Sequence, residues 1–136
     1  MTEKYAVFGN PIKHSKSPEI HRAFAVQTVQ AMDYSRQLVE LDGFHAAADS
    51  FFRAGGRGLN ITQPFKQDAY SYGSRITPRA RRAGAVNTLA MQDDGTVLGD
   101  TTDGVGLVTD IKDNLGWQIR TKRVLILGAG GAVRGV

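Results

Sequence analysis

A lysine and an aspartate in this sequence each stand where a predicted strand gives way to a predicted helix. Lys66 follows Pro64, which opens a helix after a strand, and Asp103 stands at the entrance of a later helix. Such junctions form the edge at which open α/β sheets bind ligands. The helix dipole opposes a positive charge in the first turn by roughly 0.3–1 kcal/mol, which favours a lysine that exchanges protons. A facing lysine and aspartate could orient a hydroxyl group and shuttle its proton.

Both residues also have a purely structural interpretation. Lys66 could be a surface lysine that extends to water, and Asp103 could be the N-cap of its helix. Asp100 competes with Asp103 for any catalytic role. The spacing of these residues leaves both interpretations open.

Amide and hydroxyl side chains on neighbouring strands predict a ligand with several hydroxyl groups. Strand alternation sends Asn60 and Thr62 to one face of their strand. Asn87 stands at the start of a predicted hairpin, although asparagine is uncommon in strands. Buried polar side chains need hydrogen-bond partners, which a polyhydroxylated ligand could supply. A turn or cap role is the simpler alternative for Asn87.

Two serines beside a predicted helix start suggest an anion site. Ser15 and Ser17 precede Pro18, which is typical of a helix N-terminus with Ser17 as the N-cap. Free backbone N–H groups at such an end favour a carboxylate or a phosphate. In the alternative, Ser17 only caps the helix and Ser15 faces water. The three histidines have no metal-ligand spacing, so we predict no metal site.

A glycine-rich turn near residue 130 predicts the start of a dinucleotide-binding unit. Apolar residues 124–127 predict a strand that runs into this turn and then into a helix. The predicted cofactor-binding residues of the turn are Gly128, Ala129, Gly130, Gly131 and Ala132. Val133 breaks the strict G-x-G-x-x-G/A spacing, so the match is to a variant of the motif.

The composition is that of a globular domain. Of the 136 residues, 41% are hydrophobic and none is cysteine, which excludes disulfides. No segment suits a signal peptide or a membrane span, so we expect a cytoplasmic protein. The net charge of +4 would suit nucleic acid, but the arginine clusters lack interleaved aromatic residues. We therefore predict a small-molecule substrate, with no nucleic acid and no membrane partner.

Predicted strands and helices alternate along the chain. Strands are expected at residues 5–8, 34–41 and 58–62, a hairpin at 85–91 and 96–98, and helices after Ser17, after Asp42, from Pro64 and over 104–115. This order predicts an α/β fold with an open, mainly parallel sheet, one antiparallel strand and helices on both faces. We expect a substrate-binding domain at residues 1–116. A connector and the truncated start of a Rossmann-like, dinucleotide-binding domain would occupy residues 117–136.

Six sequence blocks, in this order, resemble shikimate dehydrogenase. They are residues 9–11 (GNP), 14–18 (HSKSP), 60–66 (NITQPFK), 84–88 (GAVNT), 99–106 (GDTTDGVG) and 128–132 (GAGGA). The resemblance covers the whole chain, and the ordered set is far more specific than any single block. It implies an oxidoreductase that reversibly reduces 3-dehydroshikimate to shikimate with NADP, a step of aromatic amino-acid biosynthesis.

The resemblance also implies a role for each site residue. Ser15 and Ser17 would bind the substrate carboxylate. The substrate hydroxyl groups would be bound by Asn60, Thr62, Asn87 and Asp103. Lys66, which would also bind substrate, would with Asp103 handle the proton as the nicotinamide delivers or removes hydride.

Four positions depart from the family pattern. Gln63 replaces an apolar residue, Thr101 an asparagine, Pro78 an acidic residue and Val133 a serine. None of these changes removes a proposed catalytic group. They bear on cofactor fit and substrate tuning more than on the reaction.

Several alternatives stay open at this stage. The 136 residues do not contain the further strands and helices that would hold a nicotinamide, so we expect the chain alone to be an inactive shikimate-binding fragment. Quinate could be a second substrate, and NADP is not separated from NAD. A homodimer is also left open.

Overall fold

The computed structural model describes residues 2–136, and its centre is a single six-stranded sheet. The strands are β1 (Glu3–Gly9), β2 (Met32–Leu38), β3 (Gly56–Ile61), β4 (Arg75–Ile76), β5 (Thr88–Met91) and β6 (Val97–Asp100). The α-helices are α1 (Ser17–Gln27), α2 (Phe44–Arg53), α3 (Lys66–Tyr72), α4 (Pro78–Ala83), α5 (Asp103–Thr109) and α6 (Gly131–Gly135). A π-helical segment, Asp110–Asn114, continues α5.

The sheet is mainly parallel, with the strand order β2-β1-β3-β5-β6-β4. Strand β1 pairs in parallel with β2 and β3, and β4 pairs in parallel with β6. Strand β5 is antiparallel to both of its neighbours, β3 and β6. The predicted α/β fold with one antiparallel strand is therefore confirmed.

Helices cover both faces of the sheet because alternate residues of β1 point to opposite sides. Phe8 lies in the larger core, where its ring meets that of Phe44 from α2 at 6.1 Å, edge to face. Val7 lies in the smaller core on the other face, together with Tyr34 of β2. Helix α1 packs on that second face, since His21 stacks on Tyr34.

Neither Ser17 nor Asp103, the two side chains considered as helix caps, is an N-cap. The N-cap positions are Lys16, Gly43 and Thr102, so Ser17 and Asp103 are the first helical residues and Asp42 lies outside its helix. The Ser15 hydroxyl instead accepts a hydrogen bond from the Ser17 backbone N–H, at 3.3 Å. The Ser17 hydroxyl instead accepts from the Ser15 hydroxyl, and the Asp103 carboxylate accepts from Lys66.

Two short elements were not predicted from the sequence. Strand β4 has two residues, too few to show a hydrophobic period. Helix α4 follows a sequence signal that the prediction overlooked, because Thr77 accepts a hydrogen bond from the Ala80 N–H and Pro78 occupies the first turn. The boundaries of β2, β3 and the hairpin also differ by two or three residues from the predicted ones.

The strand predicted at residues 124–127 does not form. These residues are exposed, and no other part of residues 2–136 pairs with them in a sheet. A strand needs a neighbour for its backbone groups, which explains why an apolar run alone does not make one. The glycine-rich turn and the helix opening after it do form, with α6 starting at Gly131. Within residues 2–136 no helix has the length and apolar character of a membrane span.

Asp100, at the end of β6, is part of the structural framework. Its carboxylate accepts hydrogen bonds from the Thr77 hydroxyl at 2.6 Å and the Thr101 N–H at 2.8 Å. Arg79 forms a two-point ion pair with the same carboxylate, through Nε at 2.7 Å and through Nη2. These contacts, with Arg79 first, lower the pKa of Asp100 to about 2.

Because the pKa of Asp100 is about 2 in the folded chain and about 3.9 in an unfolded one, the ionised form favours folding. This stabilisation is present above about pH 4 and disappears as the pH falls from about 4 to about 2. We expect Asp100→Asn to lower the free energy of unfolding by about 1 kcal/mol at pH 7 and to flatten its decline in acid. Urea unfolding between pH 2 and 7 measures both effects. The exposed Asp42→Asn is the control, and an equal acid decline in Asp100→Asn would contradict the assignment.

Candidate functional site

The candidate site is built around an ion pair between Lys66 and Asp103. Lys66 is the first residue of α3 and Asp103 the first residue of α5, and Lys66 Nζ lies 2.6 Å from Asp103 Oδ2. Both side chains are largely buried, with 14% and 26% of their surface exposed. Partial burial raises the strength of such a pair, and both side chains keep some contact with solvent.

The sheet topology explains how Asn87 joins this pair. Strand β5 runs opposite to β3 and β6, so its start lies beside the carboxyl ends of both neighbours. The Asn87 backbone binds on both sides, accepting from the Ile61 N–H at 2.7 Å and donating to the Asp100 carbonyl at 3.0 Å. The side chain of Asn87 is thereby held at the edge where Lys66 and Asp103 meet.

The Asn87 amide donates a hydrogen bond to the second oxygen of the Asp103 carboxylate. Its Nδ2 donates to Asp103 Oδ1 at 2.9 Å and to the Thr102 hydroxyl at 2.9 Å. Its Oδ1 accepts from the Thr102 N–H at 3.1 Å. Asp103 thus accepts one hydrogen bond on each oxygen, from Asn87 and from Lys66, and its orientation is fixed.

The polar contacts continue from Asn87 to Asn60. The Thr88 hydroxyl donates to Asn87 Oδ1 at 2.9 Å and accepts from Asn60 Nδ2 at 3.4 Å. Asn60 Oδ1 accepts from the Tyr34 hydroxyl at 2.6 Å. Thr62 follows β3 directly, and its backbone N–H donates to the Phe8 carbonyl of β1 at 3.0 Å.

Thr62 also packs closely on Gly9, the glycine of the sequence block GNP. A Cβ at Gly9 would collide with the Thr62 methyl group. The absence of a side chain at Gly9 therefore lets the loop after β1 approach the end of β3.

The two serines lie at the start of α1, on the side of Tyr34. The Ser15 hydroxyl donates to the Ser17 hydroxyl at 3.2 Å. Arg36 supports the loop by donating from Nε to the Ser15 carbonyl at 2.8 Å and by pairing with Glu19. Burial raises the pKa of Tyr34 to about 12, and a hydrogen bond with the Ser17 side chain opposes part of this rise. Tyr34 therefore lies between α1, where its ring stacks on His21, and Asn60, to which its hydroxyl donates.

The glycine-rich turn lies directly against the ion pair. A Cβ at Gly131 would come within 3.3 Å of Lys66 Cβ, and one at Gly135 within 2.9 Å of Asp103 Oδ2. Gly128 has a φ of +118°, a conformation that other residues rarely adopt. Small residues in the turn thus allow it to approach the proposed proton-transfer groups.

The structure brings four of the predicted site residues into one connected set, and Ser15, Ser17 and Thr62 lie outside it. Lys66 pairs with Asp103, which accepts from Asn87, and Thr88 joins Asn87 to Asn60. Asp100 pairs with Arg79 and lies outside this set. Sequence reasoning missed Tyr34, Thr88 and Thr102. A tyrosine or threonine in a strand is ordinary, so the sequence carries no signal that distinguishes these three.

Known proteins resemble the chain over its full length. A family model described as "Shikimate dehydrogenase substrate binding domain" matches residues 7–89. A shikimate dehydrogenase (NADP(+)) of Cellvibrio japonicus is 63% identical over 136 residues, which are all of this chain and 49% of the relative. One of Saccharophagus degradans is 58% identical over 134 residues, 98% of this chain and 48% of the relative.

Solved structures agree with these matches. An Ael1 enzyme from Pseudomonas putida has a TM-score of 0.90 at 47% identity, covering 98% of this chain and 49% of that one. Shikimate 5-dehydrogenase of Thermus thermophilus in complex with shikimate has a TM-score of 0.89 at 34% identity, with 98% and 50% covered. The chain spans about half the length of the relatives it matches. It belongs to the shikimate dehydrogenase family.

Proposed function

We propose that this chain is the substrate-binding part of an NADP-dependent shikimate dehydrogenase, which interconverts 3-dehydroshikimate and shikimate. The observation that carries the proposal is the largely buried Lys66–Asp103 pair at 2.6 Å, closed on its other side by Asn87. The names of the relatives, shikimate dehydrogenase (NADP(+)), support both the substrate and the cofactor.

The ion pair suits proton transfer at a ring oxygen of the substrate. In reduction, Lys66 Nζ donates a proton to the oxygen of the former carbonyl while Asp103 accepts a hydrogen bond from the new hydroxyl. In oxidation, Lys66 takes the hydroxyl proton back and passes it to solvent through the small exposed fraction of its side chain. When bound, NADPH would supply the hydride to the carbonyl carbon in reduction, and NADP+ would accept it in oxidation.

The other polar residues bind the rest of the substrate. The Ser15 and Ser17 hydroxyls lie 3.2 Å apart at the N-terminus of α1, where an anion is favoured, and we assign the carboxylate to them. Asn60 and Thr62 bind ring hydroxyl groups along the strand ends. Asn87, whose two amide hydrogens donate to Thr102 and Asp103, binds a hydroxyl by exchanging one of these partners. The polar set therefore matches a small ring that has a carboxylate at one end and hydroxyls at the other.

The glycine-rich turn fits a dinucleotide on this side of the site. Gly128, Ala129, Gly130, Gly131 and Ala132 form it, and a Cβ at Gly130 would have no neighbour within 4 Å. The turn has open space at Gly130 and contacts Lys66 at Gly131. We assign residues 1–116 to a substrate domain and residues 117–136 to the connector and the beginning of the NADP domain.

A direct test compares this chain with a chimaera in which the remaining half of the Cellvibrio japonicus relative follows Val136. We expect the chain alone to bind shikimate in a calorimetric titration without reducing NADP, and the chimaera to reduce NADP with shikimate. Quinate, titrated in parallel, should bind more weakly. A chain that does not bind shikimate, or a folded chimaera without turnover, would refute the proposed function.

Lys66→Ala in the chimaera tests the proton-transfer role. We expect kcat to fall by at least about 100-fold while shikimate binding changes little, because the lost group acts in the transition state. Steady-state kinetics and titration measure the two quantities. The exposed Lys112→Ala is the charge-matched control and should leave both unchanged. Loss of binding with unchanged kcat in Lys66→Ala would contradict the assignment.

Substitution of the serines in the chimaera should weaken binding and spare turnover, the opposite of the effect expected for Lys66→Ala. We expect Ser15→Ala and Ser17→Ala each to weaken shikimate binding about five- to tenfold and to leave kcat nearly unchanged, because each removes one hydrogen bond to the carboxylate. The same titrations and kinetics measure both quantities. Unaltered affinity in both variants would place the carboxylate elsewhere.

A further inference from the structure

Tyr34 lies at the end of the polar set that is farthest from the ion pair. The residue is 7% exposed, and its ring stacks on His21 with centroids 4.4 Å apart and planes 16° apart. His21 is itself fixed, since its Nδ1 lies 2.9 Å from the Ser17 carbonyl. The phenol ring is therefore held between the sheet and α1, and only its hydroxyl reaches the proposed site.

The hydroxyl of Tyr34 determines which way the Asn60 amide faces. The phenol keeps its proton through the physiological range, because burial raises the pKa of Tyr34 to about 12. It donates that proton to Asn60 Oδ1 at 2.6 Å. With its oxygen occupied, Asn60 has only N–H groups left to offer, and one of them donates to the Thr88 hydroxyl at 3.4 Å.

The hydrogen bonds beyond Asn60 all run in one direction. Asn60 donates to Thr88, Thr88 donates to Asn87 Oδ1, and the Asn87 amide nitrogen donates to Asp103 Oδ1. Each group thus accepts on one side and donates on the other, ending at the carboxylate. A reversed Asn60 amide would place an N–H against the Tyr34 hydroxyl and its oxygen against Thr88, and would break this order.

We propose that Tyr34 is a positioning residue, whose hydroxyl holds Asn60 so that its N–H groups face the hydroxyls of a bound polyol carboxylate. Tyr34 acts through Asn60 and does not itself touch substrate. The inference rests on the proposed function, because it specifies that Asn60 offers hydrogen-bond donors to an accepting oxygen of shikimate.

The chain offers a matched control for the test. Tyr5 of β1 is the register partner of Tyr34 on β2 and lies on the same face of the sheet. Its hydroxyl donates to Glu3 Oε2 at 2.7 Å, away from the polar set. Tyr34→Phe and Tyr5→Phe each remove one hydroxyl and keep the ring in place.

The experiment measures shikimate affinity by calorimetry for the wild-type chain, Tyr34→Phe, Tyr5→Phe, Asn60→Ala and the Tyr34→Phe/Asn60→Ala double variant. We expect Tyr34→Phe to raise Kd about five- to tenfold and Tyr5→Phe to leave it unchanged. In the Asn60→Ala background, Tyr34→Phe should add less than about twofold, because a residue that acts through Asn60 has nothing left to position. A purely structural role would lower the Tm without this coupling.

A second measurement does not depend on the ligand. The side-chain amide signals of Asn60 in a ¹H–¹⁵N spectrum should shift or broaden in Tyr34→Phe and stay in place in Tyr5→Phe. Unchanged signals, an unchanged Kd, or an equal loss of affinity with and without Asn60 would overturn the role of Tyr34. A wild-type chain that does not bind shikimate would instead overturn the proposed function, whatever the amide signals show.

Discussion

The arrangement of this domain depends on keeping a lysine and an aspartate paired out of bulk water. Loss of either partner would leave the other charge partly desolvated and unpaired, so pairing and hydrogen bonding go together. Strands β3 and β6 lead to the two residues, but β5 lies between them and separates their ends by roughly 10 Å. The long side chain of Lys66 spans much of this gap, and Asn87, at the start of β5, occupies the middle.

The direction of β5 therefore has a chemical consequence. A parallel strand in its place would bring a carboxyl end, with free carbonyl oxygens, between Lys66 and Asp103. The antiparallel strand brings its amino end, so the Asn87 side chain can donate to Asp103 while its backbone binds Ile61 and Asp100. The reversal of direction within the sheet thus completes the hydrogen bonding of the carboxylate.

The sequence predicted the fold class and the junctions that carry Lys66 and Asp103, because the βα alternation and the helix starts are local signals. It could not choose between Asp100 and Asp103, since that choice depends on which cation each one meets in space. It also missed Tyr34, which is an ordinary strand residue until the fold places Asn60 beside it. The strand at 124–127 failed for the converse reason, because a strand depends on a partner that a local pattern does not contain.

The glycine-rich turn lies close to the ion pair and so adds to its shielding from water. In the proposed reaction, substrate and cofactor would both have to reach Lys66, whose side chain is 14% exposed. A Cβ at residue 131 would crowd Lys66, and one at residue 135 would come within 2.9 Å of Asp103 Oδ2, so glycine at these positions eases the close approach. Gly131 and Gly135 lie against the pair with backbone alone. Backbone at these positions shields the pair while 14% of the Lys66 side chain and 26% of the Asp103 side chain stay exposed, which is the access that a reacting group needs.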